Sequence, residues 1–287
     1  MNSDCVNHAD SWQNSSFIAV VTWNGRVKLF DASSKRFIVE FFTHKDPGGV
    51  SVALSQNNER CFCGTYYAWG LACFDVSTGQ VIWRRKDLKR FYGLSFSPAR
   101  NSLFAYFDGK SALELDPFTG ITQNEFRGVV EVDASPYDES LLFTERKKFN
   151  FLGKELKKLW SVPRESFAVL ENAWSPDSVA ISEVGSELPN GSKAVIRCYS
   201  LGGELLWRYQ GQNHHVDALQ YRPRTKSFVG VDFTAGKAYM LVELDEGTGK
   251  VIQQKIIPTS PHWGFCENGE QFFSVDHNSY EVALENF

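Results

Sequence analysis

Cysteines, histidines and a recurring aspartate are the residues of this 287-residue chain whose types and spacing could do chemistry. Cys61-Phe62-Cys63 puts two thiols on one face of a strand, because alternate residues share a face. No further Cys or His stands at zinc spacing from them, so packing is their expected role. Cys73 is expected opposite about Phe62, on the face away from the pair. With Cys5, Cys198 and Cys266 scattered along the chain, buried reduced thiols are the simplest account of all six. Adjacent His214 and His215 ligate a metal only with partners from elsewhere in the fold. Partner contact, a pH response and an ordinary solvated loop stand beside that reading. Asp31, Asp75, Asp116 and Asp245 each open a short turn, in a different segment and with no second acidic residue at ligand spacing. Each is expected to accept N–H bonds within its own turn. The chain has no Gly-x-Ser-x-Gly elbow, phosphate-binding glycine loop, His-Glu-x-x-His or Cys-x-x-Cys pair. Catalytic residues, metal ligands and cofactors are therefore expected to be none, although a site assembled from loops of distant segments leaves no such motif.

The elements that must position any site are strands. Tyr92 to Phe126 reads as four short strands joined by Ser97-Pro98-Ala99-Arg100-Asn101, Asp108-Gly109-Lys110 and Asp116-Pro117-Phe118-Thr119-Gly120. One such meander covers only one of its faces and is marginal alone, but it repeats. The turn after its first strand recurs at Ser11, Ser55, Ser97, Ser135, Ser175, Arg222 and Cys266, at a period of about 40 residues. Six residues beyond these anchors stand Phe17, Cys61, Leu103, Leu141, Ile181, Phe228 and Phe272, all apolar in a chain that is 43% hydrophobic. The run from Lys154 to Lys158 resembles a short helix but is assigned as strand and turn, and the polar insertion from Gly185 to Lys193 as a surface loop.

Seven four-stranded repeats of this length predict an all-β fold: a seven-bladed β-propeller of four-stranded antiparallel blades in one domain. The blades are expected at about 5–42, 50–86, 92–126, 129–160, 167–209, 216–256 and 262–287, the last with three strands. Closure must come from packing between first and last blades or from an exchanged N-terminal strand. The apolar-Ser-Pro-Asp/Asn turn and the Asp-x-x-Thr-Gly-x-x-x-Trp turn, as in Asp75 to Trp83, resemble the repeats of WD40-like and quinoprotein-like propellers along essentially the whole chain. Gly-His and Trp-Asp pairs of true WD40 blades are missing, and the eight blades and exported chain usual in quinone-cofactor enzymes are not seen, which argues against redox chemistry of that kind.

A net charge of -4 gives no global footprint for nucleic acid. The first ten residues lack a basic start and an apolar core, and nowhere do 18 apolar residues run together. A soluble, cytoplasmic, monomeric protein is expected, contacting neither nucleic acid nor membrane.

Links between blades and turns between second and third strands open on one face of a propeller; the other turns open on the opposite face. The first face collects Tyr67, Trp69, Lys89, Arg90, Tyr92, Arg164, His214, His215, His262 and Trp263, the second mostly carboxylates such as Glu59, Asp138, Glu139 and Glu246. Aromatics and arginine are the residues enriched at binding hot spots. These ten are the expected partner-binding residues of a non-enzymatic propeller, an adaptor or a dedicated inhibitor such as a bacterial immunity protein, for one protein partner with an acidic surface. The alternatives are a lyase or hydrolase type of enzyme, or small-ligand binder, using the central channel, and a structural domain of a larger assembly.

Overall fold

The structure, a computed structural model, describes residues 6–286 apart from 12–14, 43–47, 67–68, 109–110, 167–168, 185–192, 212–215, 234–238, 258–261, 267–270 and 277–280. The described residues hold 27 strands in seven antiparallel sheets. Each sheet is ordered as the chain runs. Six have four strands, and the last, built from His262–Cys266, Gln271–Val275 and Val282–Asn286, has three. The chain is a seven-bladed β-propeller. Its blades run over 6–42, 49–85, 91–127, 129–163, 169–210, 216–257 and 262–286.

By contacts the chain divides into two compact units, residues 1–145 with 260–287, and residues 146–259. The fourth blade gives its first two strands to the first unit and its last two to the second.

Period-two alternation builds the core of the first unit. In the second blade, Cys61, Cys63, Ala72 and Phe74 face the first blade, where Val21, Leu29 and Phe41 meet them. Phe62, Leu71 and Cys73 face the third blade, against Leu94, Phe96 and Leu103. Cys73 pairs with Phe62 across the strands, as expected, and so lies on the face away from Cys61 and Cys63. A blade sandwiched on both sides must be apolar on both faces, and ring stacking fills the gaps, with Phe41–Phe74 centroids 5.1 Å apart and Phe62–Phe96 centroids 5.8 Å apart. The two ends of the chain meet in this unit by packing: Val6, Ile18, Val20 and Phe30 of the first blade are clustered with Cys266, Phe273 and Val275 of the last. Of the two expected modes of closure the described residues show the first, packing between the first and last blades; among them the last sheet holds its own three strands.

A tryptophan clasp repeats between blades. Trp83 near the end of the second blade donates its indole N–H to Pro117 O of the third at 3.0 Å; Trp160 does the same to Leu201 O at 3.0 Å, and Trp207 to Glu246 O at 2.6 Å. In each case the receiving turn carries a glycine at positive φ, Gly120, Gly203 or Gly249, against which the indole lies. The turn aspartates behave as expected: Asp75 accepts from Thr78 N, Asp116 from Thr119 N and Asp245 from Thr248 N, at 2.8, 2.8 and 2.9 Å.

The segment after Gly153 is not a helix of any length. Lys154–Leu156 makes a single 3₁₀ turn before the strand Lys158–Pro163, and Glu155 and Leu156 have φ of 60° and 59°. Left-handed residues cannot propagate a right-handed helix. The 185–193 insertion lies outside the described residues except for Lys193.

Candidate functional site

In the first unit, four backbone hydrogen bonds link the loops of three blades on one face. Gly48 N donates to Trp23 O, Tyr66 N to Gly48 O at 2.7 Å, Arg90 N to Tyr66 O at 3.0 Å, and Asp108 N to Arg90 O at 2.9 Å. The chain of donors alternates between links that join blades and turns that join second and third strands, so each loop is held by its neighbours. Arg90 is the strained member, with φ of 59°. A non-glycine residue in that region costs roughly 1 kcal/mol and persists when its surroundings over-determine it; bonds at both its N–H and its carbonyl do so here.

Lys89, Arg90 and Asp108 are exposed on this platform. Tyr92 is 57% exposed and Trp23 40%, large areas for aromatic side chains held on fixed backbone. Trp23 is absent from the ten contact residues expected from sequence; its signal there is the Asn24-Gly25 hairpin turn beside it. Asp108 makes the platform less uniformly basic than the sequence sorting implies. In the second unit, Arg164 N donates to Lys147 O at 3.0 Å, the same link-to-turn pattern. Its neighbour Glu165 bridges Arg197 at 3.5 Å and Arg208 at 2.8 Å, so that link also carries both charges.

Two expected contact residues are not at the surface. Trp69 is 5% exposed, stacked on Phe74 at 5.9 Å and covered by the Arg84 guanidinium at 4.2 Å, while Arg84 Nε donates to Trp69 O at 2.9 Å. The hairpin folds its indole inward because an adjoining apolar face and a cation both cover it, so Trp69 supports the platform from below. Trp263 is 6% exposed and packs on Phe272 with centroids 5.5 Å apart. His262 lies in the inner strand His262–Cys266. Tyr67, His214 and His215 lie outside the described residues.

The innermost strands of the first unit are stitched by side chains that accept from the next blade's backbone. His8 Nδ1 accepts from Val52 N at 3.4 Å, Asp10 Oδ2 from Leu54 N at 3.0 Å, Ser51 Oγ from Leu94 N at 3.2 Å, and Ser95 Oγ from Ala134 N at 3.2 Å. Burial pushes the Asp10 carboxyl up to about 6, offset only in part by the N–H groups of Leu54 and Ser11. Burial likewise pushes the Cys63 and Cys73 thiols up to about 12, far from the thiolate a nucleophile or metal ligand needs. Among the described residues no three His, Cys, Asp or Glu side chains converge as metal ligands, and no helix is long and apolar enough to cross a membrane.

No protein-family profile and no curated protein matches the chain. Solved structures do. The hydrazine synthase of Kuenenia stuttgartiensis superposes with a TM-score of 0.78 at 12% identity, over 98% of this chain and 95% of that one. The β-propeller domain of Myceliophteria thermophila Cps50 (Swd1) also gives 0.78, at 10% identity, over 100% of this chain and 98% of that one. The likeness is one of fold. One of these propellers carries the name of an enzyme and the other does not, so the shared architecture is compatible with different uses. What this propeller does has to be read from its own surfaces.

Proposed function

We propose that this propeller is a non-enzymatic protein-binding module, an adaptor or dedicated inhibitor, whose working surface is the loop platform carrying Trp23, Lys89, Arg90 and Tyr92. The observation that carries the reading is the backbone relay from Trp23 through Gly48, Tyr66 and Arg90 to Asp108, which holds exposed aromatics and cations in place before any partner arrives. Ordering loops and side chains is a main cost of association, and a platform already ordered avoids much of it. Two neighbouring cations, Lys89 and Arg90, favour a partner that presents carboxylates and speed the encounter with it. The inner-strand polar groups support the same reading, because His8, Asp10, Ser51 and Ser95 are engaged in holding blades together.

The test is affinity purification from the native source followed by mass spectrometry, run with wild type and with Arg90→Glu/Tyr92→Ala. A protein captured by wild type and reduced at least tenfold in the double variant supports the platform; a loss of about 1.4 kcal/mol suffices for that. Undiminished capture by a variant with unchanged thermal stability removes this face as the working surface.

A further inference from the structure

The second and third blades leave a cavity of about 180 Å³ between them, on the face opposite the platform. Gln56, Asn57, Arg60, Asn101 and Phe118 are among its lining residues, and no carboxylate is. The Arg60 guanidinium lies 4.0 Å over the Phe118 ring. Its Nε is buried without a hydrogen-bond partner, and Asp75, directly across the sheet from it, accepts instead from Ser77 and Thr78 of its own turn.

The blades themselves show why. Two residues before the turn aspartate, the third blade has Glu114 and the sixth has Glu243. Glu114 pairs with Arg100 at 3.2 Å and accepts from Asn124 at 2.7 Å. Glu243 pairs with Arg222 at 3.0 Å and accepts from Gln253 at 2.6 Å. At the same place before Asp75 the second blade has Cys73, a buried neutral thiol close enough to feel the Arg60 charge. Arg60 is therefore an arginine near a carboxylate position that holds no carboxylate.

We propose that this cavity binds a small oxyanion group, a carboxylate or a phosphate, through the Arg60 guanidinium and the side-chain amides of Gln56, Asn57 and Asn101. A guanidinium presents planar paired donors that match both groups. Asn57 Oδ1 already accepts from Ser55 Oγ at 2.8 Å and Glu59 N at 3.3 Å, which orients its amide N–H₂ as the remaining donor. The volume suits a single anionic group or the tip of a side chain, being below the range of sites for larger ligands, roughly 300 Å³ and upward. Arg60 also borders a groove of about 560 Å³ between the first and second blades, but Glu59 and Asp75 line that one and oppose an anion there.

Wild type, Arg60→Met and Cys73→Glu are titrated calorimetrically with sodium phosphate and with N-acetyl-aspartate methylamide, at fixed ionic strength and with sodium chloride as reference. Wild type is expected to bind at least one of the two, and the one preferred tells a phosphate source from a carboxylate source. Arg60→Met, with unchanged circular dichroism, is expected to bind roughly tenfold or more weakly. Cys73→Glu restores the internal carboxylate and is expected to close the site in the same way. Equal binding by wild type and Arg60→Met overturns the proposal, as does the absence of binding to folded wild type up to about 10 mM of either anion. The Arg60→Met comparison decides even where Cys73→Glu fails to fold.

Discussion

The Trp207 indole occupies the space that a side chain at Gly249 would need. A Cβ placed on Gly249 stands 2.6 Å from the indole carbons, and the indole N–H reaches Glu246 O in the same turn at 2.6 Å. Trp83 meets Gly120 and Trp160 meets Gly203 in the same manner, at 2.7 and 2.6 Å. The aromatic that ends one blade and the glycine that turns the next are thus one device. It joins neighbouring blades by an apolar contact and a hydrogen bond at once.

Gly249→Ala adds both a clash and left-handed strain, since φ there is 65°. Gly128 has φ of 81° and open space for 4 Å around the position its Cβ would take, so Gly128→Ala adds strain alone. The expectation is a loss of about 1 kcal/mol for Gly128→Ala and about 2–4 kcal/mol for Gly249→Ala, measured by urea denaturation. Equal losses would mean that the indole moves aside freely.

Arg222 and Glu243 are both buried, and Thr225, Gln253 and Ser227 also bond the carboxylate. Removing one charge strands the other, so Arg222→Met is expected to cost about 3–5 kcal/mol. Adding Glu243→Gln removes the stranded charge while leaving a side-chain amide for the same neighbours. The double variant should then be more stable than Arg222→Met alone, and denaturation showing additive losses would remove the stranded-charge account.

Asp10 links the stability of the first unit to pH. Its carboxyl is raised from 3.8 to about 6 in the folded protein. A group raised on folding stabilises fully below its unfolded value and loses that contribution as pH climbs through its folded value. Asp10→Asn keeps an acceptor for Leu54 N–H without the buried charge. It should therefore be more stable than wild type near neutral pH by roughly 1–3 kcal/mol, and less dependent on pH between about 4 and 6. Parallel stability curves for the two proteins across that window would contradict the assignment.

Cys61, Cys63, Cys73, Cys198 and Cys266 are all buried, reduced thiols. Burial raises the Cys61 thiol well above its usual range and brings Cys198, like Cys63 and Cys73, to about 12. In a Cys5→Ser background, the native protein should react only slowly with a thiol reagent at about pH 8, and all five thiols should appear on unfolding. Rapid stoichiometric labelling of one thiol in the native state would show a more open packing.

Much of the fold is written locally. All seven apolar residues placed six positions after the repeating turn, from Phe17 to Phe272, lie in the second strands of their blades, and the turn aspartates accept the N–H groups of their own turns. Strand alternation, turn chemistry and period depend on residues a few positions apart, so the sequence by itself determined the blades, their number and the short last blade. It could not determine which loop aromatics reach solvent. Trp69 reads as a surface residue in a loop between second and third strands, yet Arg84 and Phe74 bury it, while Trp23 stays exposed. Nor could it show that Arg60 goes without the carboxylate that Arg100 and Arg222 have. Those outcomes were decided only by the tertiary structure, because burial and charge pairing depend on groups brought together from distant parts of the chain.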